Sequence, residues 1–346
     1  MAQNLKNLIE LAGEGSAVWN EWIVNSSVTQ CDFSGVNFIH APQRRKISFK
    51  GFVFPVGTDF SGAEFYEGLF EFANFLGDVS FEGALFERNA KFMNAVFKGK
   101  SDFQRTFFKA DAGFQGAKFE KSALFMGATF SKHLSLSESA FKSDVNFLGT
   151  TFLGSISFEG SSFETVPDLR RSEFKKHVTF HRMSLKYKNR VHEDDADKYR
   201  RLKELAVTGR DHDKEQEYFA YELKAKRTLE LTGFDYLINL LYEIVSDYGR
   251  SISRPFAFLV ATWSLFAIYF TASSDKVSEV SRGMIYSLNL LIPFLPGGLK
   301  RIERLEDELF SQPALMSLGA WPVIEGFLGV VLVFLIVLGL RNRFRI

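Results

Sequence analysis

Phenylalanine recurs in this chain on two interleaved eleven-residue registers, and that spacing excludes most folds. Phe81, Phe92, Phe103, Phe114, Phe125, Leu136, Phe147, Phe158, Leu169 and Phe180 make up one register. Phe75, Phe86, Phe97, Phe108, Phe119, Phe130, Phe141, Phe152, Phe163 and Phe174 make up the other. Merged, the steps alternate between five and six residues, and Phe33, Phe38, Phe49, Phe54, Phe60, Phe65 and Phe70 precede them in looser phase. A helix of 3.6-residue period scatters such positions around its axis, and an odd step breaks the alternation of a strand. A short rung with one large inward residue, one small inward residue and then a corner satisfies both constraints. Four such rungs close a square coil of about 20–22 residues, and coils stack through main-chain hydrogen bonds at roughly 4.8 Å.

The small residue stands two positions before most of the rings, as in Ala84, Ala90, Ala95, Ser101, Thr106, Ala112, Ala117, Ala123 and Ala128. Two bulky side chains would not fit so narrow an interior. Stacking then calls for one flat apolar side chain many times over, which accounts for 39 Phe in 346 residues. Segments such as VSFEGALFERNAKFMNAVF and AGFQGAKFEKSALFMGATF resemble the pentapeptide-repeat family, in its variant with Phe in place of Leu and an eleven-residue double repeat. The resemblance covers roughly residues 31–182 and implies a right-handed quadrilateral β-helix. Residues 1–30 are read as its cap, an amphipathic helix over 2–24 carrying Leu5, Leu8, Ile9, Ala12, Trp19, Trp22 and Ile23. A cap is needed because the end of an open coil is an exposed sheet edge.

Beyond Phe180 the composition turns charged, and residues 183–254 are read as a cytosolic helical segment. Residues 193–231 predict two helices broken at Thr208–Asp213, with Gly209 supporting the turn. Residues 234–248 place Phe234, Leu237, Leu241, Ile244, Val245 and Tyr248 on one side. That stripe fits a helix lying in a membrane interface or one packed on its own protein.

Residues 255–346 are read as a two-span membrane module. Pro255 to Ser274 contains no charged residue, and Pro322 to Leu340 is of similar length and is followed by RNRFRI. Each is long enough to cross a hydrocarbon core of about 30 Å. Arg250 and Arg254 before the first span, and Arg341, Arg343 and Arg345 after the second, place both flanks in the cytosol. The N-terminus has no basic region leading into an apolar core, so a cytosolic β-helix on an inner (plasma) membrane protein is expected, with both termini cytoplasmic. Between the spans, Gly283 to Leu295 is too short to cross and is read as a re-entrant helix.

Span, re-entrant helix, turn and span resemble the two-span potassium-channel-like pore module, and LYEIVSDYGRSISRPF resembles the junction of membrane-bound pentapeptide-repeat proteins that carry one. The resemblance covers roughly residues 190–346 and implies an oligomer, a tetramer by analogy. It departs from this chain at the selectivity filter, where Ile292, Pro293, Phe294, Leu295, Pro296, Gly297 and Gly298 replace a TxGYG-like run of carbonyl donors. Asn289, Pro293, Phe294, Pro296, Gly297, Gly298 and the intramembrane carboxylate Glu325 are the pore or gate candidates. Gly326 and Gly329 would allow close helix approach.

Nothing in the sequence points to an enzyme or a cofactor. His40, His133, His177, His181, His192 and His212 make no zinc pattern, and Asp194, Asp195 and Asp197 read as a solvated charge run. FKGKS fails as a phosphate loop because Asn94 stands where glycine is required. Cys31 is the only cysteine, which rules out a disulfide within the chain. Residues 31–182 hold 19 Lys+Arg against 17 Asp+Glu, a net of +2, so an acidic DNA-mimicking rod is excluded and no nucleic-acid partner is expected. The expected function is a membrane channel-like oligomer with a cytosolic sensor or docking β-helix. Its rival is a non-conducting, membrane-tethered scaffold whose β-helix binds a protein partner.

Overall fold

The computed structural model describes residues 2–39, 47–187, 192–276, 279–292 and 294–344, and His40, Pro293 and Arg345 lie outside them. It divides into two units, residues 1–229 and 230–346. In the first, two- and three-residue strands from Gln30 to Leu185 assemble into four parallel sheets of six, seven, six and six strands. Each strand pairs with the one a full coil later, which is a quadrilateral β-helix of about six turns. Cys31 pairs with Thr58, Thr58 with Val79 and Val79 with Ser101, so the coils advance by 27, then 21, then 22 residues. The long first coil is why the early phenylalanines run out of phase.

The rings occupy four columns. Phe33, Phe60, Phe81, Phe103, Phe125 and Phe147 stack at 4.8–5.0 Å. Phe54, Phe75, Phe97, Phe119, Phe141 and Phe163 stack at 4.6–4.8 Å. Each eleven-residue register therefore feeds two columns alternately. Neighbouring columns meet edge-on, as Phe92 does with Phe103 at 5.5 Å and 85°. Offset and edge-to-face pairs of this kind contribute about 0.5–1.5 kcal/mol each beyond area burial. The five-residue corners turn on a left-handed residue: Ala84 N–H donates to the Phe81 carbonyl at 3.0 Å across Gly83, whose φ is 65°. Arg105 takes the same conformation in the next coil (φ 54°). The six-residue corners hold an extra residue and no left-handed one among the described residues, which explains the alternating step.

The small positions are buried, and most of the hydroxylic ones donate to a main-chain carbonyl, whereas Ser101 Oγ is buried without a partner. Thr106 Oγ1 donates to the Phe81 carbonyl at 2.8 Å, and Thr150 Oγ1 to the Phe125 carbonyl at 2.7 Å. On the surface, Lys142 pairs with Glu120 at 2.7 Å and Arg182 with Glu159 at 3.0 Å, each joining successive coils. Such exposed pairs contribute at most about 1 kcal/mol each. Burial pushes the Cys31 thiol up to about 12, which leaves it unreactive at neutral pH.

The cap of the first coil is two helices, not the single one expected: α1 (Ala2–Gly13) and α2 (Ser16–Asn25), separated at Gly15 with φ 99°. The break turns α2 so that Trp19 stacks on Phe52 at 5.4 Å and donates from Nε1 to the Val53 carbonyl at 2.9 Å. Asn20 imitates the missing strand. Its Nδ2 donates to the Gly51 carbonyl at 2.9 Å, and its Oδ1 accepts from Val53 N–H at 2.7 Å. Trp19→Phe keeps the stacking surface but leaves the Val53 carbonyl unpaired, and is expected to cost about 1–3 kcal/mol in denaturant titration.

At the other end, α3 (Asp195–Thr208) and α4 (His212–Leu229) pack on the last coil. Tyr218 meets Phe180 edge-on at 5.9 Å. Arg201 donates to the Ser172 carbonyl at 2.8 Å and Lys214 to the Met183 carbonyl at 2.6 Å, so cations satisfy edge carbonyls that no further strand reaches. Gly209 serves this hairpin by its small size: its φ is −78°, and a Cβ there would lie 3.2 Å from the Val178 carbonyl. Arg210 takes the left-handed conformation instead (φ 56°).

Glu222, buried on α4, holds the hairpin together through Lys203 at 2.6 Å, Lys226 at 2.7 Å and Arg200 at 3.2 Å. Burial pushes its carboxyl up, but the hydrogen bonds from Lys203, Lys226 and Arg200 outweigh that and hold it below the usual range. A carboxylate lowered by folding stabilises above its ordinary value of about 4.3 and loses that contribution as pH falls toward its native value. Glu222→Gln is therefore expected to lower the unfolding midpoint at pH 7 and to narrow its difference from the parent below about pH 4.

Candidate functional site

The second unit begins with α5 (Gly233–Ser246) and contains α6 (Ser253–Ser273), α7 (Val280–Leu291), α8 (Gly298–Leu309), α9 (Gln312–Leu318) and α10 (Trp321–Phe344). At 1.5 Å per residue α6 and α10 are about 31 and 36 Å long, and both are apolar enough to cross a membrane. Only 11% and 22% of their apolar stretches are buried, unlike the core helix of a soluble protein.

Between them α7 is clasped by small residues and a polar chain. Gly283 abuts Thr271 of α6, where a Cβ would collide with the Thr271 hydroxyl. Gly329 of α10 abuts the Leu291 carbonyl with no room for a Cβ, and a Cβ on Gly326 would lie 3.3 Å from the Leu290 carbonyl. Trp263 Nε1 donates to the Met284 carbonyl at 3.0 Å. Ser287 Oγ lies 3.2 Å from the Trp263 carbonyl and is hydrogen-bonded to Glu325, so one hydroxyl ties all three helices. On the far side of α7, Tyr286 OH donates to Glu306 at 2.8 Å and Arg282 pairs with Glu308 at 2.9 Å, both on α8. Lys276 and Ser274 donate to the Asp307 and Leu309 carbonyls, both at 2.7–2.8 Å, and Ser311 N–H donates to Asp275 at 2.8 Å. These contacts fold α8 and α9 back over Phe270, Tyr286, Leu309 and Phe310.

The sequence-predicted residues fall into two environments. Glu325 is fully buried against Ser287, facing inward between helices, with Oε2 lacking a hydrogen-bond partner. Asn289 is also buried: its Nδ2 donates to the Ile285 carbonyl at 2.7 Å and its Oδ1 has no partner. Phe294, Pro296 and Gly297 are exposed, Gly298 is buried as the first residue of α8, and Gly297 takes φ 73°. Sequence reasoning missed Ser287, Trp263 and Gly283. Ser287 carried a legible signal, a small hydroxylic residue within the largely apolar run IYSLNLL. Trp263 and Gly283 carried none without knowing which faces meet.

One family model, described as pentapeptide repeats (9 copies), matches residues 60–106 and 92–140. No curated protein and no solved structure matches the chain. Both matched segments lie within the stacked Phe columns, and the second unit falls outside them. The chain carries pentapeptide repeats folded as a Phe-cored β-helix, followed by α-helices of which two are long and apolar enough to cross a membrane.

Proposed function

We propose that the second unit is a channel-like membrane module that works as an oligomer, with the β-helix in the cytosol as a sensor or docking domain. The observation that carries this reading is the clasp of α7. A helix of about 18 Å cannot cross alone, and Gly283 in its first turn and Leu291 at its end are seated directly on the backbones or short side chains of α6 and α10. A re-entrant element persists within a membrane only where protein covers its backbone, and those glycines supply the cover. A single copy cannot enclose a path, so several copies are required, a tetramer by analogy. In this reading the exposed turn 294–297 borders the path, and Glu325 positions α7 without lining it.

Two observations favour a second reading. The intramembrane carboxylate is sealed inside one copy, and the turn at Phe294 and Pro296 presents rings where a filter presents carbonyls. This reading is a membrane-tethered scaffold whose β-helix binds a protein partner. Ion flux from liposomes holding the purified full-length chain separates the two. Conduction that changes with Phe294→Ala and with Pro293→Ala supports the channel. Silence from demonstrably inserted protein, with both variants equally silent, supports the scaffold.

A further inference from the structure

Helix α5 is built inside out. Phe234, Tyr236, Leu237, Ile238, Leu241 and Ile244 are exposed, Phe234 by 73%, whereas Asn239 and Ser246 are buried. A helix facing water hides the first set and shows the second. The chain leaves α5 through three consecutive left-handed residues, Asp247, Tyr248 and Gly249 (φ 50°, 58° and 78°). Two of these are not glycine, a conformation costing about 1–2 kcal/mol per residue. The turn is held by Tyr248 OH donating to Asn239 at 2.9 Å and by Gly249 N–H donating to Ser246 Oγ at 3.1 Å. Strain maintained by buried polar contacts marks places where a geometry is needed.

That geometry brings three elements together. Asn342 of α10 donates to the Gly249 carbonyl at 3.0 Å, and a Cβ on Gly339 would lie 3.2 Å from the Ser251 carbonyl. The end of α10 is thereby held beside the α5–α6 turn. The result is a cavity of about 580 Å³ lined by Asp247, Arg250, Ser251, Ser253, Phe256 and Arg343. Arg250 reaches Asp247 only at 3.9 Å, and Arg343 has no carboxylate partner among the described residues. The cavity thus offers two weakly compensated guanidiniums and two hydroxyls, with the exposed ring of Phe256 on its wall and the apolar face of α5 in the same unit.

We propose that this cavity binds the phosphate of an anionic phospholipid while the outward face of α5 lies in the membrane surface. The inference rests on α6 and α10 crossing a membrane with the arginines on the cytosolic side. The guanidiniums take the phosphate oxygens and the serine hydroxyls donate to it. Phe256 and the α5 stripe meet the acyl chains. Free phosphate supplies the same oxygens without acyl chains, so the test separates the two.

Detergent-solubilised full-length protein is titrated with dioctanoyl phosphatidylglycerol, dioctanoyl phosphatidylcholine or sodium phosphate while its thermal midpoint is followed. The expected result is a saturable rise with phosphatidylglycerol alone, its half-saturating concentration raised roughly fivefold by each of Arg250→Gln and Arg343→Gln. Arg343→Lys restores most of the response, and none of these variants shifts the lipid-free midpoint. An equal rise with phosphatidylcholine, an equal rise with phosphate, or a phosphatidylglycerol response unchanged in the double Gln variant overturns the site. Flotation with phosphatidylcholine vesicles is read separately. Protein that fails to float refutes the membrane reading beneath the proposal, and protein that floats without preferring phosphatidylglycerol refutes the site alone.

Discussion

Phe103→Ala is expected to destabilise the β-helix by about 3–5 kcal/mol, the range for removing a fully buried aromatic side chain. Phe103 is 0% exposed. It stacks on Phe81 at 4.9 Å and Phe125 at 5.0 Å, and meets Phe92 and Phe114 edge-on at 5.5 Å each. The alanine would leave a ring-sized void, because coils locked by parallel pairing cannot collapse into it. Phe103→Leu is expected to cost less than about 1.5 kcal/mol, since Leu136 and Leu169 already occupy equivalent positions. Denaturant titration of the full chain, followed by circular dichroism, measures both. A solenoid's stability is a sum over coils and their contacts, so the deficit in Phe103→Ala should also broaden the transition as the central coils uncouple from the ends. An alanine variant no less stable than the leucine variant would mean that the columns are not what holds the coils together.

Gly329→Leu is expected to abolish the docking of α7, and with it any activity of the second unit. A Cβ at this position collides with the backbone carbonyl of Leu291, which cannot rotate away as a flexible side chain would. Overpacking against side chains costs about 1–3 kcal/mol, and a backbone collision exceeds that unless the helices part. Parting them breaks the bond between Ser287 and Glu325 and strands a carboxyl that has no water to turn to. Gly326→Ala is the control, because its Cβ would lie 3.3 Å from the Leu290 carbonyl, a contact a small shift relieves. The thermal midpoint of the detergent-solubilised chain should fall sharply for Gly329→Leu and little for Gly326→Ala. Equal midpoints for Gly329→Leu and the parent would separate α7 from α10 and remove the support for a re-entrant helix.

The β-helix was legible because its interior is one-dimensional. Each coil sees only its neighbours, so the eleven-residue step of the rings and the small residue two places earlier specify the columns without knowledge of the rest of the chain. The long apolar runs of α6 and α10 were legible for a similar reason, as length and polarity alone decide whether a helix can cross a membrane. What the local pattern could not reach was contact between segments distant in sequence. Ser287 and Glu325 are 38 residues apart, and only the seating of Gly283 and Gly329 on neighbouring backbones brings them together. The same holds for Arg250 and Arg343, which stand beside one cavity because Asn342 reaches Gly249. A stripe of leucines on α5 reads alike whether it faces protein or lipid. Only the burial of Asn239 and Ser246 on its other side decided that it points away from the second unit's own core.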